Sequence, residues 1–456
     1  MNNLKSLENK KICFLGLGIE NQALVKFLLA KKINCEITVC DKRKIRDVRT
    51  FPREVIKWQS GRNYDRNLAE FDIIFRSPGY PLFAFEIKKA DKLWLAKKAT
   101  GLPRQPAQGG LPRNDIVISS PMKLFFQICP TKNIIGVTGT KGKGTTASLI
   151  YKMLKNGKKR VWLGGNIGIA PFEFIGKIKR NDWVILELSS FQLEDMEISP
   201  KIAVITNFTR EHLAPADPNN PNYHRNLADY RQAKLNIIKW QKKSDRAVIN
   251  EKLDIKYWKL GKGKKVFFTK LELPTKLVGD YNEENIAAAA EVAKLAGVKI
   301  DIIKKTVKDF KNLEHRLEFV KSAKDVKFYN NSFATTPEAT IADLKSFLEP
   351  IILLLGGADK GADFKELAKE IKKKVKFVIL LKGKATPKIK KELLKIKYPK
   401  GKIMAVGSMK QAVRIAKLKS IPSDIVLLST ACASFGMFKN YKQRGKLFKQ
   451  EVKKIK

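Results

Sequence analysis

The chain has 456 residues, 91 Lys and Arg against 44 Asp and Glu for a formal net charge of +47, and a hydrophobic fraction of 44%. That length is too great for one ordinary core and predicts two to four domains, with three as the working number, while no run of about 18 apolar residues is present to cross a bilayer. The five cysteines (Cys13, Cys35, Cys40, Cys129, Cys432) are odd in number and lack CxxC spacing, which excludes a disulfide framework and a zinc site. The lysines run through every region, including 365–376 and 388–395, rather than one stripe interleaved with aromatics, which favours a biased composition over specific nucleic-acid binding.

The polar N-terminus has no signal-peptide apolar stretch and leads straight into a strand, so the expected compartment is the cytosol. Residues 11–16 read as a buried strand, Gly16-Leu17-Gly18 as a tight turn and 21–31 as an amphipathic helix. A second strand, 36–40, ends at Asp41, about 20 residues after the turn as in the dinucleotide fingerprint. Asn21 holds the third glycine position, however, and a GxG turn fits any βα unit. A strand at 71–75 leads into Ser77-Pro78-Gly79, a loop at a strand's carboxyl end, where α/β sheets bind ligands.

Residues 91–115, rich in Pro, Gly, Gln and basic side chains and without periodicity, read as a loop or linker. A fresh block is expected from Asp115, with strands at 133–137, near Trp162, at 183–188 and at 202–207, and helices to about Lys155, at 228–239 and at 282–296. The final block restarts near Leu313, with strands at 327–330, 351–355, 377–381 and 425–428 separated by helices. This alternation predicts an α/β protein of three domains, 1–114, 115–312 and 313–456, with mostly parallel, doubly wound sheets.

Gly136-Val137-Thr138-Gly139-Thr140-Lys141-Gly142-Lys143-Gly144-Thr145-Thr146 reads as a strand end, a glycine loop and a helix start. Such a loop turns backbone N–H groups toward phosphates, the helix N-terminus adds positive potential, and Lys143 reaches the terminal phosphates. Gly144 stands where a magnesium-binding hydroxyl usually follows the lysine, leaving Thr145 or Thr146 for that task. Glu187 closes a strand after an apolar run, a position suited to a magnesium ligand. His212, one of three histidines, follows a strand end, where a neutral imidazole can help hold a second metal or order a substrate, or serve the fold alone. By charge, Lys234 is one basic residue among 91.

The glycine loop resembles the ATP loop of the Mur ligases and of the related folylpolyglutamate synthases. Further motifs follow in order over essentially the whole chain: Gly164-Gly165-Asn166-Ile167-Gly168, Leu186-Glu187-Leu188-Ser189-Ser190-Phe191-Gln192-Leu193-Glu194, Ile205-Thr206-Asn207 with Glu211-His212-Leu213, and Tyr230-Arg231-Gln232-Ala233-Lys234. Then come 279–285, Leu313-Glu314-His315-Arg316-Leu317-Glu318, Gly356 to Phe364, and Ala431-Cys432-Ala433-Ser434-Phe435 with Lys439-Asn440-Tyr441. Together they resemble the Mur ligases that add glutamate to UDP-N-acetylmuramoyl-L-alanine in cytoplasmic peptidoglycan precursor synthesis.

The resemblance implies a Rossmann-like N-terminal UDP-binding domain, a central P-loop ATPase domain and a Rossmann-like C-terminal amino-acid domain, in a monomer with small-molecule substrates and no membrane. ATP would phosphorylate the substrate carboxylate, and the amine of D-glutamate would attack the acyl phosphate. ATP contacts are implied at Gly139, Thr140, Lys141, Gly142, Lys143, Gly144, Thr145, Thr146, Asn282, Asn285, Arg316 and Asn331. UDP-substrate contacts fall on Gly18, Ile19, Glu20, Asp41, Lys42, Ser77, Pro78, Gly79, Asn166, Ser189, Gln192 and His212. The amino acid falls to Thr335, Lys360, Ser434, Phe435 and Tyr441. Two magnesium sites are implied at Thr145, Glu187, His212 and Lys234, the lysine carrying a carbamate formed with carbon dioxide. Lys143, Glu187, His212 and Lys234 form the implied catalytic set. Domain closure is expected too, because Arg316 and Lys360 belong to the third block and the ATP loop to the second.

The chain departs from the family pattern at Phe333 (usually lysine), Asn331 (aspartate), Thr430 (proline), and Pro121 and Lys123 (acidic residues). The lost lysine leaves L-glutamate or another acidic amino acid open beside D-glutamate. A folylpolyglutamate-type ligase, which needs no UDP-binding block, is the nearest rival; a nucleic-acid-binding ATPase, raised by the charge of +47, is the distant one.

Overall fold

The computed structural model describes residues 2–43, 51, 55–84, 86–89, 116–213, 222–256, 258, 260–359 and 361–455. Two compact units emerge, one of residues 1–270 with 285–303 and the other of residues 271–284 with 304–456. The expected linker at 91–115 lies outside the described residues, apart from the boundary it makes with the strand that follows.

The larger unit holds two parallel sheets. The first contains β1 (Lys11–Leu15), β2 (Glu36–Asp41), β3 (Ile56–Ser60), β4 (Ile73–Arg76) and β5 (Val117–Ser119) in the order β3-β2-β1-β4-β5. β1 is buried along its length because helices of a parallel sheet cover both faces, which is why it reads as an unbroken apolar run. The edge strand β3 is half exposed and carries no such run, so the sequence hides it. β5 is the main correction to the expected boundaries. It follows Asp115, yet it pairs with β4 in the first sheet, so that sheet ends at Ser119, five residues beyond the expected limit of 114.

The helix after β1, α1 (Ile19–Ala30), starts two residues earlier than predicted, with Gly18 extended at its N-cap. Asn21, in the expected glycine position, is fully buried and donates its amide to the carbonyls of Gly16 (2.7 Å) and Phe75 (3.1 Å). It therefore ties the turn after β1 to the end of β4, a task no glycine could do.

After α2 (Pro121–Ile128), the second sheet comprises β6 (Ile134–Thr138), β7 (Val161–Gly165), β8 (Trp183–Glu187), β9 (Ile202–Ile205), β10 (Arg246–Asn250) and β11 (Lys264–Phe268). Their order is β11-β10-β9-β6-β8-β7, all parallel. β6 leads into α3 (Lys143–Asn156), β8 into the single turn α4 (Ser190–Leu193), and α5 (Leu227–Lys239) follows β9. One apolar core joins both sheets of this unit, with Phe172 packed on Phe27 (5.2 Å between ring centres) and on Phe125 (6.0 Å). Further helices are α6 (Tyr281–Leu295) and α7 (Ile300–Asp309).

The smaller unit carries β12 (Glu318–Ala323), β13 (Val326–Asn331), β14 (Ile351–Leu355), β15 (Val375–Leu381), β16 (Ile403–Val406) and β17 (Ile425–Ser429), in the order β12-β13-β17-β14-β15-β16. Its helices are α8 (Pro337–Lys345), α9 (Lys365–Lys374), α10 (Thr386–Lys395), α11 (Met409–Lys419) and α12 (Tyr441–Lys453). β12 pairs antiparallel with β13 through Lys324 and Asp325, both at positive φ as a two-residue hairpin requires, so this sheet is mixed rather than wholly parallel. The lysine-rich helix α9 stops at Lys374 because the apolar run of β15 begins at Val375. Among the described residues no helix is long and apolar enough to cross a membrane.

The buried Arg444 of α12 holds the smaller unit's site loops together. Its guanidinium donates to the Ser332 hydroxyl (2.9 Å), the Ser332 carbonyl (2.7 Å) and the Cys432 carbonyl (3.1 Å). Burial draws its pKa down to about 10, which leaves it a cation at neutral pH. Arg444→Leu strands those acceptors and should lower stability by about 3 kcal/mol in urea denaturation, whereas Arg444→Lys, charged but without the fork, should recover less than half of the loss.

Candidate active site

The glycine loop leaves β6 and enters α3 with Gly139 at φ +145° and Gly142 at φ +81°. Both need glycine twice over: the backbone is left-handed or beyond, and a Cβ would meet Thr206 at position 139 and the Asn285 amide oxygen at position 142. Asn207 fixes the loop from β9, its side-chain oxygen accepting the N–H groups of Thr140 (3.1 Å) and Lys141 (2.8 Å). Thr206 donates to the Lys141 carbonyl at 2.7 Å. Thr146 is fully buried and gives its hydroxyl proton to Asn285 (3.3 Å).

Two lysines converge on this loop. Lys143 donates to the carbonyls of Gly139 (3.0 Å) and Thr140 (2.9 Å), and Lys234 from α5 donates to the same Gly139 carbonyl (2.8 Å). Lys234 is buried, 4.7 Å above the Tyr230 ring centre. Burial first, and the Lys143 charge second, hold its pKa well below the usual lysine range. Glu187 ends β8 almost fully buried; its Oε2 has no hydrogen-bond partner, while Oε1 lies 3.5 Å from the Asn166 amide. The Gly164-Gly165 pair brings Asn166 there, since a Cβ on Gly165 would strike the Glu187 carbonyl that Asn166 N–H binds at 2.8 Å.

His212 sits at φ +59° with its ring edge toward Phe191 (5.2 Å). Loss of hydration pushes its pKa down to about 4 against the pull of Glu211, 3.7 Å away, and the nearby Lys234 and Lys143 add to the fall. The imidazole is thus neutral at neutral pH. Glu211 accepts from Lys141 at 2.7 Å. Among the described residues no three His, Cys, Asp or Glu side chains form a ready-made metal cluster.

The first sheet brings the expected UDP-substrate loops together. Ser77 packs against Gly16 and Gly18, where a Cβ would crowd it. Asp41 accepts the Leu17 N–H (2.5 Å) and the Arg43 guanidinium (2.9 Å), and despite burial these bonds hold it below the usual carboxylate range. Ile19 is exposed beside it, as is Lys42. Ser189 and Gln192 form a reciprocal capping box on α4, and Gln192 also donates to Glu20. Burial pushes Glu20 up to about 7. Asn222 reaches the Pro78 carbonyl at 2.7 Å. Beneath these loops lies Arg76, fully buried at the end of β4, donating to the carbonyls of Tyr80 (2.8 Å) and Phe191 (3.0 Å) and facing Glu194 (3.5 Å) and Asp195 (3.6 Å). The sequence reading passed over Arg76, although a cation closing an apolar strand just before Ser77-Pro78-Gly79 was its signal. Asn207, Asn222 and His224, which stacks on Phe191 at 4.8 Å, were also given no role.

In the smaller unit, Asn331 donates to the buried Asp343 (2.7 Å), which also accepts from Ser429 (2.6 Å). Thr430 donates to the Ala334 carbonyl at 3.0 Å, next to Thr335. Arg316 lies over Phe333, and Phe333 meets Tyr441. Ser434 is buried, Phe435 half exposed, and Asn282 donates to the Val278 carbonyl (2.8 Å). Lys360 lies outside the described residues. Lys123, a departure from the family pattern, ion-pairs with Glu197 in the larger unit.

Three family models match in order: the Mur ligase MurD-like N-terminal domain over residues 10–94, the Mur ligase middle domain over 137–268, and the Mur ligase glutamate ligase domain over 315–432. The chain is 36% identical to the UDP-N-acetylmuramoylalanine–D-glutamate ligase of Acetivibrio thermocellus, over 99% of this chain and 98% of that protein. It is 34% identical to the ligase of the same name from Clostridium tetani, over 99% and 98%. Among solved structures, the fold is shared with the UDP-N-acetylmuramate-alanine ligase MurC of Thermotoga maritima (TM-score 0.58, 16% identity, 98% of this chain and 99% of that one). It is shared as well with the MurF ligase of the same organism in complex with ADP (TM-score 0.57, 17% identity, 100% and 97%). With three domain models matched in order and relatives aligned end to end, the chain belongs to the Mur ligase family, ATP-dependent ligases that form amide bonds.

Proposed function

We propose that this chain adds D-glutamate to UDP-N-acetylmuramoyl-L-alanine at the expense of ATP, in the cytoplasmic synthesis of peptidoglycan precursors. The names carried by relatives 34–36% identical over nearly its full length support this reading. The observation that carries it is the convergence of Lys143 and the buried Lys234, whose pKa burial holds well below the usual lysine range, on the Gly139 carbonyl of the glycine loop. Together they make a phosphate cradle in which burial and the neighbouring Lys143 charge favour the free-amine form of Lys234.

A neutral amine can add to carbon dioxide, its nitrogen forming the C–N bond and losing a proton to solvent, which leaves a carbamate anion. Magnesium fits beside it, because the unpartnered Glu187 Oε2 is a buried anionic oxygen that asks for a cation. Glu187, His212, Thr145 and the Lys234 carbamate are the proposed holders, in two sites. Thr145 is preferred to Thr146, which is fully buried against Asn285. Bound magnesium would neutralise phosphate oxygens and the charge that gathers as phosphoryl transfer proceeds.

The residues of the chain supply the rest. Glycine-loop N–H groups and Lys143 hold the ATP phosphates while the substrate carboxylate attacks the terminal phosphorus and ADP leaves. The neutral amine of glutamate then attacks the acyl carbon, losing a proton as the amide forms, and phosphate departs. Neutral His212 is suited to ordering the carboxylate without adding another cation beside Lys143. The loops at Gly18, Asp41 and Ser77 take the uridine diphosphate, with Asn285, Asn282, Arg316 and Asn331 on the nucleotide and Thr335, Lys360, Ser434, Phe435 and Tyr441 on the amino acid. The domain plan that goes with these roles has three parts, its first limit moved past Ser119 and its second near 312. One chain carries every role, which supports a monomer.

Phosphate release should require ATP, the muramoyl nucleotide and D-glutamate together; across an amino-acid panel D-glutamate should exceed L-glutamate, and silence with all three present refutes the assignment. Gly142→Ala forces a Cβ into φ +81° and the Asn285 amide, and should lower kcat/KM for ATP at least about tenfold. Enzyme freed of carbon dioxide should lose most of its turnover and regain it on adding bicarbonate, whereas Lys234→Ala should be inactive under both conditions; a wild type indifferent to bicarbonate would remove the carbamate from the mechanism.

A further inference from the structure

Phe333 is a large apolar ring left 39% exposed among residues expected to meet polar ligands. Its surroundings fix it closely. Its N–H donates to the His315 carbonyl at 3.1 Å, and its ring meets the Tyr441 ring edge to face, 5.1 Å between centres and 87° between planes. Tyr441 in turn meets the His315 ring at 6.2 Å and 88°. The preceding residue, Ser332, donates to the Tyr441 carbonyl (2.8 Å) and accepts from the buried Arg444 (2.9 Å), so the backbone that carries Phe333 is anchored to α12. Over this ring lies the Arg316 guanidinium, its central carbon 3.7 Å from the ring centre. Arg316 is presented from a turn in which His315 and Leu317 both have positive φ, a backbone that the Phe333 hydrogen bond to His315 helps to hold.

A phenyl ring can neither bind a carboxylate nor neutralise a phosphate. Its face can hold a guanidinium flat, well inside the roughly 6 Å range of a cation–π contact, while the N–H groups around the guanidinium edge stay directed outward in its plane. A forked donor held in one plane loses less freedom when it meets two phosphate oxygens than one that must first be ordered. We propose that Phe333 is a positioning residue, an aromatic platform that sets the plane of Arg316 for the nucleotide phosphates. This rests on the nucleotide-contact role given to Arg316 under the proposed function. The platform makes Arg316 and Phe333 one functional unit: the ring matters only through the guanidinium, and aromaticity matters more than charge at position 333.

Initial rates of the purified full chain test this, with KM for ATP and for D-glutamate measured separately and ADP affinity measured by calorimetry. Phe333→Ala should raise the ATP KM and the ADP Kd about three- to tenfold, the span of an exposed to partly desolvated cation–π contact. The KM for D-glutamate should stay within twofold. Phe333→Trp and Phe333→Tyr should restore ATP binding and Phe333→Lys should not. In an Arg316→Ala background, Phe333→Ala should add no further loss. The platform is overturned if Phe333→Ala leaves nucleotide binding within twofold, if the D-glutamate KM moves in its place, if Phe333→Lys rescues, or if the two losses simply add. Arg316→Ala alone separates the premises: unchanged ADP affinity in that variant removes the nucleotide role of Arg316 and the platform with it. The calorimetric arm reads the platform even in an enzyme that turned out not to use D-glutamate.

Discussion

Two lysine nitrogens on one carbonyl oxygen set the terms for the larger unit's site. Lys143 and Lys234 both donate to Gly139, and two ammonium groups so placed, one of them buried, repel each other in a medium that screens poorly. Burial decides which of the two yields: Lys234 on α5 packs against Tyr230, and loss of hydration first, the Lys143 charge second, push its pKa well below the usual lysine range. A Cβ on Gly139 would strike Thr206, and the loop keeps its shape because Thr206 and Asn207, just beyond the neighbouring strand β9, hold it. The parallel order β9-β6-β8 then places Glu187, the loop and the His212 turn at one end of the sheet, where ligands of parallel sheets bind.

The same unit extends this ordering to its first sheet. Arg76 is buried without exposure and sits between two carboxylates and two carbonyls, so removing it would leave Glu194 and Asp195 as uncompensated buried charge. Its partners Phe191, Glu194 and Asp195 lie in the stretch after Glu187, Tyr80 lies in the loop after β4, and Asn222 binds the Pro78 carbonyl from the segment beyond His212. The loops read as diphosphate contacts and the residues read as metal contacts are therefore parts of one hydrogen-bonded framework rather than neighbours by accident.

The departures from the family pattern have local physical accounts. Asn331 replaces a carboxylate but hydrogen-bonds one, Asp343, so a negative charge remains within 2.7 Å of its amide. Thr430, in place of proline, uses its hydroxyl to bind the Ala334 carbonyl and so steadies the chain before Thr335. Phe333 gives up a cation and gathers one instead, through Arg316. At Asn331 and Phe333 the missing charge is found in a neighbour, Asp343 or Arg316, which the linear sequence does not reveal.

Strongly buried parallel strands were legible as apolar runs, and the glycine loop, Glu187, His212 and Lys234 were legible as motifs, because their spacing is set by local strand-to-loop-to-helix geometry. Short or half-exposed strands such as β3, β5 and β12 were not, since edge strands need no unbroken apolar run. The sequence determined the family and the α/β alternation, and it supplied the residues proposed for the site. Tertiary structure alone decided that β5 closes the first sheet, that Thr146 rather than Thr145 is committed to Asn285, that Arg76 knits the larger unit, and that burial holds the Lys234 pKa well below the usual lysine range. These are consequences of burial and of contacts between residues 44 to 139 positions apart, and no local pattern carries them.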